Sequence, residues 1–382
     1  MDSNRTDRNV LCCVVCISIV SQLHEEQDFI QAFFFAPLEE LSDYDPPAEA
    51  LSLENMLEGL FGSIQDELTK LVTSSHEIEP VNCLETLLLS EEISERFPSL
   101  CLLDTTLLLL QGTQKVLFNK FIDAQISWMR GQKVAAKRAG ILGPVMKMPS
   151  FFARIQEAGR NTSSDRLSRH TDTVFQKICS SLYTYIEDVA VQDEKYQSVC
   201  YLENYHYLRC AIREIDLPSL EQQLARADEK FSESMQLYVR WSVDKELEAL
   251  PQFWFRLEEE LKTCEADEVR FLDAVSTQKL RGLYSRLNDK QMSKHVVGLR
   301  KRLAKHLPKN PVLIQQVWLR VMRYFLGKYA QFERTVAECY ENEQLPLSAG
   351  EIQTIFDRVR AAEEKESEGT PSKKGKRFGG RR

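Results

Sequence analysis

The chain has 382 residues, a net charge of -8, 43% hydrophobic and 28% charged residues, and only 15 glycines and 13 prolines. This composition excludes a disordered chain, a collagen-like chain and a disulfide scaffold, and the scarcity of turn-forming residues favours long helices. The length suits two or three ordinary domains, or one elongated row of helical bundles. The 10 cysteines lack the regular spacing of a disulfide framework, which is typical of a protein in a reducing, cytoplasmic compartment.

The amino-terminal part is acidic and contains one apolar run. Residues 1–110 hold 4 Lys and Arg against 21 Asp and Glu, whereas the rest of the chain is net basic. The run VLCCVVCISIV at 10–20 has little more than half of the roughly 20 residues that a membrane-spanning helix needs. We interpret it as a buried helix, with a signal-peptide core and an artefactual chain start as alternatives. Its CxxC pair, Cys13 and Cys16, is best explained as small buried side chains.

Apolar residues recur at steps of three and four along most of the chain, and strand signals are nearly absent, so the sequence predicts an all-α fold. The clearest apolar stripe begins after Pro311 and comprises Ile314, Trp318, Val321, Phe325, Tyr329, Phe332 and Val336. A second stripe runs from Leu220 to Tyr238. Further helices are predicted at 8–34, 50–72, 81–96, 101–138, 149–159, 165–189, 194–214, 253–264, 276–306 and 348–365.

Short linkers with turn or capping residues separate these helices, at 43–49, 74–80, 140–144 and 161–165. Because short linkers join antiparallel neighbours, the sequence predicts an elongated rod of consecutive antiparallel helical bundles. Four regions are expected: acidic amino-terminal helices at 1–80, a helical bundle at 81–215, a carboxy-terminal helical bundle at 216–362, and a disordered basic tail at 363–382.

A search for chemistry finds no catalytic or metal-binding motif. The chain has no GxGxxG or GxxxxGK phosphate loop, no HExxH zinc pair and no GxSxG nucleophile elbow. The segment HEEQD at His24 lacks a second histidine four residues later, and the 6 histidines are too dispersed to nominate a triad. The sequence therefore predicts that the protein is not an enzyme and uses no cofactor. Trp241, Trp254, Phe255 and Trp318 lie at helical spacing beside aliphatic residues and are expected in the core.

Two clusters of basic residues are the candidate binding sites. The first consists of Arg130, Lys133, Lys137, Arg138 and Lys147. The second consists of Lys294, Arg300, Lys301, Arg302 and Lys305. A solvated face or an acidic protein partner explains both clusters best, with anionic lipid headgroups and nucleic acid as alternatives. Interleaved stacking aromatics, which single-stranded nucleic acid would need, are missing.

Three segments together resemble the carboxy-terminal helical rod of the exocyst complex component 1 family. They are KFIDAQISWMRGQKVAAKRAGILGPVMKMPSFFARIQEA at 120–158, SMQLYVRWSVDKELEALPQFWFRLEEEL at 234–261, and PVLIQQVWLRVMRYFLGKYAQFERTVAECY at 311–340. The third segment carries most of the resemblance, through residues that recur in the last long helix of that family: Gln316, Val317, Trp318, Phe325, Tyr329, Phe332, Cys339 and Tyr340.

The resemblance implies a structural subunit of the exocyst, which tethers secretory vesicles to the plasma membrane before fusion. Its implied partners are the other exocyst subunits, with anionic phospholipids as a further candidate, and its implied location is the cytoplasm, peripheral to the plasma membrane. Family members carry an amino-terminal pleckstrin-homology-like domain and a coiled coil ahead of the resembling region. No strand-rich domain precedes residue 80 in this chain, so we expect a truncated or split product. The alternative function is a helical protein that binds polyanions or nucleic acid.

Overall fold

The computed structural model describes residues 62–96, 101–133, 140–308 and 310–368, together with a few single positions before residue 61. Within this part, the side chains of 101–104 and 363–368 are not described. The predictions for the apolar run at 10–20, of which only Ser18 is described, for its CxxC pair, for His24 and for residues 369–382 of the basic tail lie outside the described residues. Residues 363–368, which the sequence assigns to the disordered tail, continue the last helix, Ala349–Glu368. Every regular element in the described ranges is a helix, which confirms the all-α fold. The elongated rod stays a prediction.

Twelve α-helices are found in the described residues, and three short 3-10 turns connect some of them, at Pro218–Leu220, Val269–Phe271 and Asp273–Val275. In chain order the helices are α1 (Ile64–Ile78), α2 (Asn82–Arg96), α3 (Cys101–Arg130), α4 (Gly143–Ala158), α5 (Ser164–Val191), α6 (Gln197–Ile215), α7 (Glu221–Leu247), α8 (Ala249–Glu260), α9 (Thr277–Tyr284), α10 (Asp289–His306), α11 (Pro311–Cys339) and α12 (Ala349–Glu368).

Several predicted boundaries are wrong, among them the end predicted at 138 for the helix that ends at Arg130, and three of the others have a local reason. Helix α1 continues through most of the linker predicted at 74–80. Ser75 is buried within this helix, and its Oγ accepts a hydrogen bond from Asn82 Nδ2 of α2 at 3.2 Å. Helix α4 begins at Gly143, six residues before the predicted start, with Pro144 in the first turn where its missing N–H costs nothing. The single helix predicted at 276–306 is two helices, since the side chain of Asn288 accepts a hydrogen bond from Gln291 N at 3.0 Å and caps the start of α10.

The described residues form two compact units that are interleaved along the chain. Unit 1 takes its described residues from Met1–Ala135, Leu142–Val189 and Tyr207–Arg226. Its core includes Leu84, Leu87 and Phe152, all fully buried, where α2 packs against α1, α3 and α4, and Leu182 of α5 is fully buried as well. Unit 2 takes its described residues from Ala136–Ile141, Ala190–His206 and Ala227–Arg382. The bundles predicted at 81–215 and 216–362 stay a prediction.

The centre of unit 2 is helix α11, which packs against α10 and α12. Its buried stripe comprises Leu313, Val317, Trp318, Val321, Phe325, Tyr329, Phe332, Val336 and Cys339. The stripe predicted from the sequence is thereby confirmed except at Ile314, which is half-buried. Phe325 shows how the stripe is used: its ring lies 6.1 Å from that of Trp254 and 6.0 Å from that of Phe356. Aromatic rings from three helices therefore fill the core of this unit.

Candidate interaction surfaces

The described residues contain no group of three or more His, Cys, Asp or Glu that could hold a metal ion. Their buried cysteines are also poor nucleophiles: burial raises the pKa of the Cys83 and Cys179 thiols to about 12. A thiol with such a pKa is almost wholly protonated at neutral pH. No helix in the described ranges combines the length and the apolar character that crossing a lipid bilayer requires. The candidate functional features are therefore the basic surfaces.

The first basic cluster is only partly described, because Lys137 and Arg138 lie outside the described residues. Arg130, Lys133 and Lys147 are all exposed. The Lys147 ammonium lies 5.0 Å from the centroid of the Trp128 ring, which is itself 42% exposed. Met146, the neighbour of Lys147, is 54% exposed. This arrangement joins a cation to exposed apolar side chains at the start of α4.

Arg130 belongs to a different surface from Lys147. It lies two positions after Trp128 on α3, and residues two apart project from different sides of a helix. Arg130 lines a shallow polar groove between α3 and α5, together with Ser127 and Thr184. On the same groove, Lys177 Nζ lies 2.6 Å from Asp123 Oδ1. The structure therefore does not place the described members of the first cluster on one face.

The two arginines of the second cluster have structural partners inside unit 2. Arg300 is only 9% exposed, and its guanidinium lies 5.3 Å from the centroid of the buried Trp318 ring. The Arg302 guanidinium lies 5.7 Å from the Trp241 ring centroid, and its Nη2 donates to Glu246 Oε2 at 2.7 Å. Both arginines therefore connect α10 to neighbouring helices instead of facing solvent freely.

Glu246, on α7, is the acceptor for this part of α10. Besides Arg302, it has His295 Nδ1 at 3.6 Å from its Oε1. Gly298 makes room for the carboxylate, because a Cβ at that position would collide with Glu246 Oε1. The carboxylate thus lies between two basic side chains of one helix, in a space that a larger residue at 298 would fill.

Nearby, His306 at the end of α10 is buried, and its Nδ1 lies 3.0 Å from the Tyr238 hydroxyl. Burial, followed by the positive charges of Arg302, Lys305 and Lys195, lowers the pKa of His306 to about 4. The imidazole is therefore neutral at physiological pH, so it does not add to the positive charge of the cluster.

The lysines of the second cluster behave differently from its arginines. Lys294, Lys301 and Lys305 are exposed, and so is Lys290, which lies outside the predicted cluster. No ion pair joins any of the four to another residue in the described ranges. Their steps of four, seven and four residues place them on one side of α10. We refer to Lys290, Lys294, Lys301 and Lys305 as the lysine stripe.

The lysine stripe lies opposite the buried side of α10, which consists of Met292, Val296, Leu299, Arg300, Leu303 and His306. At 100° per residue, Arg300 and Arg302 fall well outside the stripe, each toward a packed neighbour. The helical spacing alone could have separated the lysines from the arginines, once the start of α10 was known. A cluster chosen by sequence proximity mixes the two sides of the helix.

Two of the four aromatic residues expected in the core are buried there. Trp254 and Trp318 are buried, at 6% and 1% exposure, and Trp241 is half-buried. Phe255 is 51% exposed, so the prediction that it lies in the core is wrong. It follows Trp254 by one position on α8, so its side chain points about 100° further around the helix, where it is exposed.

Comparison with known proteins gives a single answer. A family model described as "Exocyst complex component Sec3, C-terminal" matches residues 45–342. Among curated relatives, Exocyst complex component 1 of Dictyostelium discoideum is 23% identical over 80% of this chain and 36% of its own length. Exocyst complex component 1 of Mus musculus is 26% identical over 87% of this chain and 40% of its own length.

A plant relative, Exocyst complex component SEC3A of Arabidopsis thaliana, is 24% identical over 77% of this chain and 33% of its own length. This chain thus spans between 33% and 40% of the length of these relatives. The family model covers well over half of the chain, in agreement with the resemblance carried by the three sequence segments. The chain therefore belongs to the family of the carboxy-terminal region of exocyst complex component Sec3.

Proposed function

We propose that the chain is a structural subunit of the exocyst that helps to tether secretory vesicles to the plasma membrane before fusion. The observation that carries the proposal is the family match over residues 45–342, within a chain whose described elements are all helical. Relatives in three organisms bear the name of an exocyst component. The partners of this chain are then the other exocyst subunits, and it acts in the cytoplasm, peripheral to the plasma membrane.

Affinity purification of the full chain, tagged and expressed at its natural level, tests this proposal. Mass spectrometry should identify the other exocyst subunits in near-stoichiometric amounts relative to the tagged chain. A matched control is the same purification with a core variant such as Phe325→Ala, which should recover less of the complex because its fold is weakened. Recovery of the wild-type chain without any exocyst subunit would exclude the proposal.

Within that role, the first basic cluster is a candidate contact with anionic phospholipids. Lys133 and Lys147 supply exposed positive charge, and each lysine near an anionic membrane contributes about 1 kcal/mol. The exposed rings and thioether of Trp128 and Met146 support the same assignment, because tryptophan favours the interface between headgroups and acyl chains. Lys137 and Arg138 add two further charges in the sequence between them.

Vesicle flotation tests the lipid contact. Vesicles of phosphatidylcholine and phosphatidylserine should carry the wild-type chain upward, and the variant with Lys133→Glu, Lys137→Glu and Arg138→Glu should remain at the bottom. Trp128→Ala should weaken flotation without changing the net charge. A control variant with Arg320→Glu, Arg323→Glu and Arg334→Glu on α11 has the same charge change. Equal flotation of the two charge variants would show that this cluster has no specific role at the membrane.

A further inference from the structure

We infer that the lysine stripe on α10 is the docking surface for an acidic α-helix of a partner protein. The inference rests on the proposed function, since the partner is then another subunit of the same assembly. The four ammonium groups of the stripe lie on one side of the helix, and none of them has an ion-pair partner in the described part of the chain. An approaching row of carboxylates would supply those partners.

The charge on this side of α10 is of one sign. The only acidic residue of the helix is Asp289, and its Oδ2 already lies 3.5 Å from Arg358 Nη1. The positive charge of Arg302, on another side of α10, is paired with the Glu246 carboxylate. The stripe therefore presents positive charge that nothing on the same helix neutralises, and such a surface attracts acidic partners and repels basic ones.

The shape of the surface favours a helix as the occupant. From Lys290 to Lys305 the stripe is about 22 Å long at the helical rise of 1.5 Å per residue. Steps of four, seven and four residues are those at which side chains recur along one side of any α-helix, so acidic residues with the same spacing on a partner helix would lie opposite the lysines. Between the lysines, Ala304 is small and exposed, and Val297 is half-buried. A partner helix can therefore approach beside Ala304 while the lysine side chains extend around it.

A membrane fits this surface less well than the first cluster does. No large apolar side chain of α10 is exposed, whereas Trp128 and Met146 accompany the first cluster. Peripheral membrane binding generally combines basic charge with an apolar group that enters the interface. The lysine stripe offers charge and small residues only, which suits contact with a second helix.

Two charge-reversal variants of the full chain separate the stripe from general electrostatics. The stripe variant carries Lys294→Glu, Lys301→Glu and Lys305→Glu. The control variant carries Arg320→Glu, Arg323→Glu and Arg334→Glu, which are exposed positions on α11 with no ion pair in the described part of the chain. Both variants change the net charge equally. Because all six side chains are exposed, both should keep the circular dichroism spectrum and thermal midpoint of the wild type to within a few degrees.

Each purified exocyst subunit is then titrated with the three proteins, at low and at physiological salt, beside vesicles of phosphatidylcholine and phosphatidylserine. We expect one subunit to bind the wild type and the control variant alike, and the stripe variant at least about tenfold more weakly. The salt dependence of binding should also be smaller for the stripe variant. A zero-length cross-linker should join Lys294, Lys301 or Lys305 to Asp or Glu residues at helical spacing in that subunit.

The other outcomes are equally informative. If the stripe variant binds every subunit as the wild type does, the inference is wrong while the proposed function stands. If the stripe variant loses vesicle binding and keeps subunit binding, the surface is a lipid site and the inference is also wrong. If the wild type binds no exocyst subunit, the proposed function fails and the inference falls with it.

Discussion

Replacing Arg302 by alanine should destabilise unit 2, whereas replacing its neighbour Lys301 should not. The two residues are adjacent in the second basic cluster, and each carries one positive charge. In the structure, Arg302 donates to Glu246 at 2.7 Å and lies over the Trp241 ring, while Lys301 is exposed. The pair of variants therefore tests whether this part of α10 is packed as described.

The expected size of the effect follows from the two contacts. A hydrogen bond between charged groups contributes about 1.5–3 kcal/mol, and a cation over a tryptophan ring about 0.5–1 kcal/mol. The side chains of Arg302 and Glu246 are 23% and 18% exposed, so solvent screens part of their attraction. We expect Arg302→Ala to lower the free energy of unfolding by about 2 kcal/mol, and Lys301→Ala by no more than about 0.5 kcal/mol.

Urea unfolding followed by tryptophan fluorescence is a suitable assay, because Trp241, Trp254 and Trp318 all belong to unit 2. The difference appears as a shift in the midpoint at constant slope. A double-mutant cycle with Glu246→Gln should give a coupling energy of about 1 kcal/mol or more. Equal midpoints for Arg302→Ala and Lys301→Ala would refute the assignment of Arg302 to an internal contact.

Three further predictions concern unit 2. Phe325→Ala should cost about 3–5 kcal/mol in urea unfolding, since it empties a fully buried aromatic site; a loss below about 1 kcal/mol would contradict this packing. His306 has a pKa of about 4 when folded and near 6.5 when unfolded, so stability should fall by up to about 3 kcal/mol as the pH drops between these values. His306→Gln should flatten that pH profile, and an unchanged profile would assign the loss to other groups. Gly140→Ala should cost about 1–3 kcal/mol in thermal unfolding, because φ is 141° there, and a neutral effect would argue against this conformation.

Family membership confirms the prediction that the protein is not an enzyme.

The fold class could be predicted without a structure because of the helical periodicity of the sequence. In α11, apolar side chains recur every three or four residues over most of 29 positions. Such a long stripe has only one interpretation, since a strand would alternate every second residue. Helix ends are harder to predict from the sequence where a single residue decides them. At Asn288 the side chain caps the start of α10 and so separates α10 from α9.

The binding surfaces show the limit of sequence reasoning more clearly. Adjacent basic residues on α10 carry the same charge and have side chains of similar length. A cluster defined by sequence proximity therefore does not separate the two sides of the helix. The Arg300 guanidinium lies over the Trp318 ring of the next helix, α11, and the Arg302 guanidinium lies over the Trp241 ring of α7, an earlier helix. Lys290 lies outside the predicted cluster, yet it precedes Lys294 by four residues, and this step of about one helical turn brings both to the same side of α10.

The helical fold and the resemblance to the exocyst components follow from the amino-acid sequence, because periodicity and the residues at 120–158, 234–261 and 311–340 are properties of the chain alone. Which basic side chains make internal contacts and which are exposed follows from the packing of the helices. The reason is physical: whether a charge faces solvent depends on what packs against its helix. For Arg302 that neighbour is Glu246, 56 residues earlier in the chain.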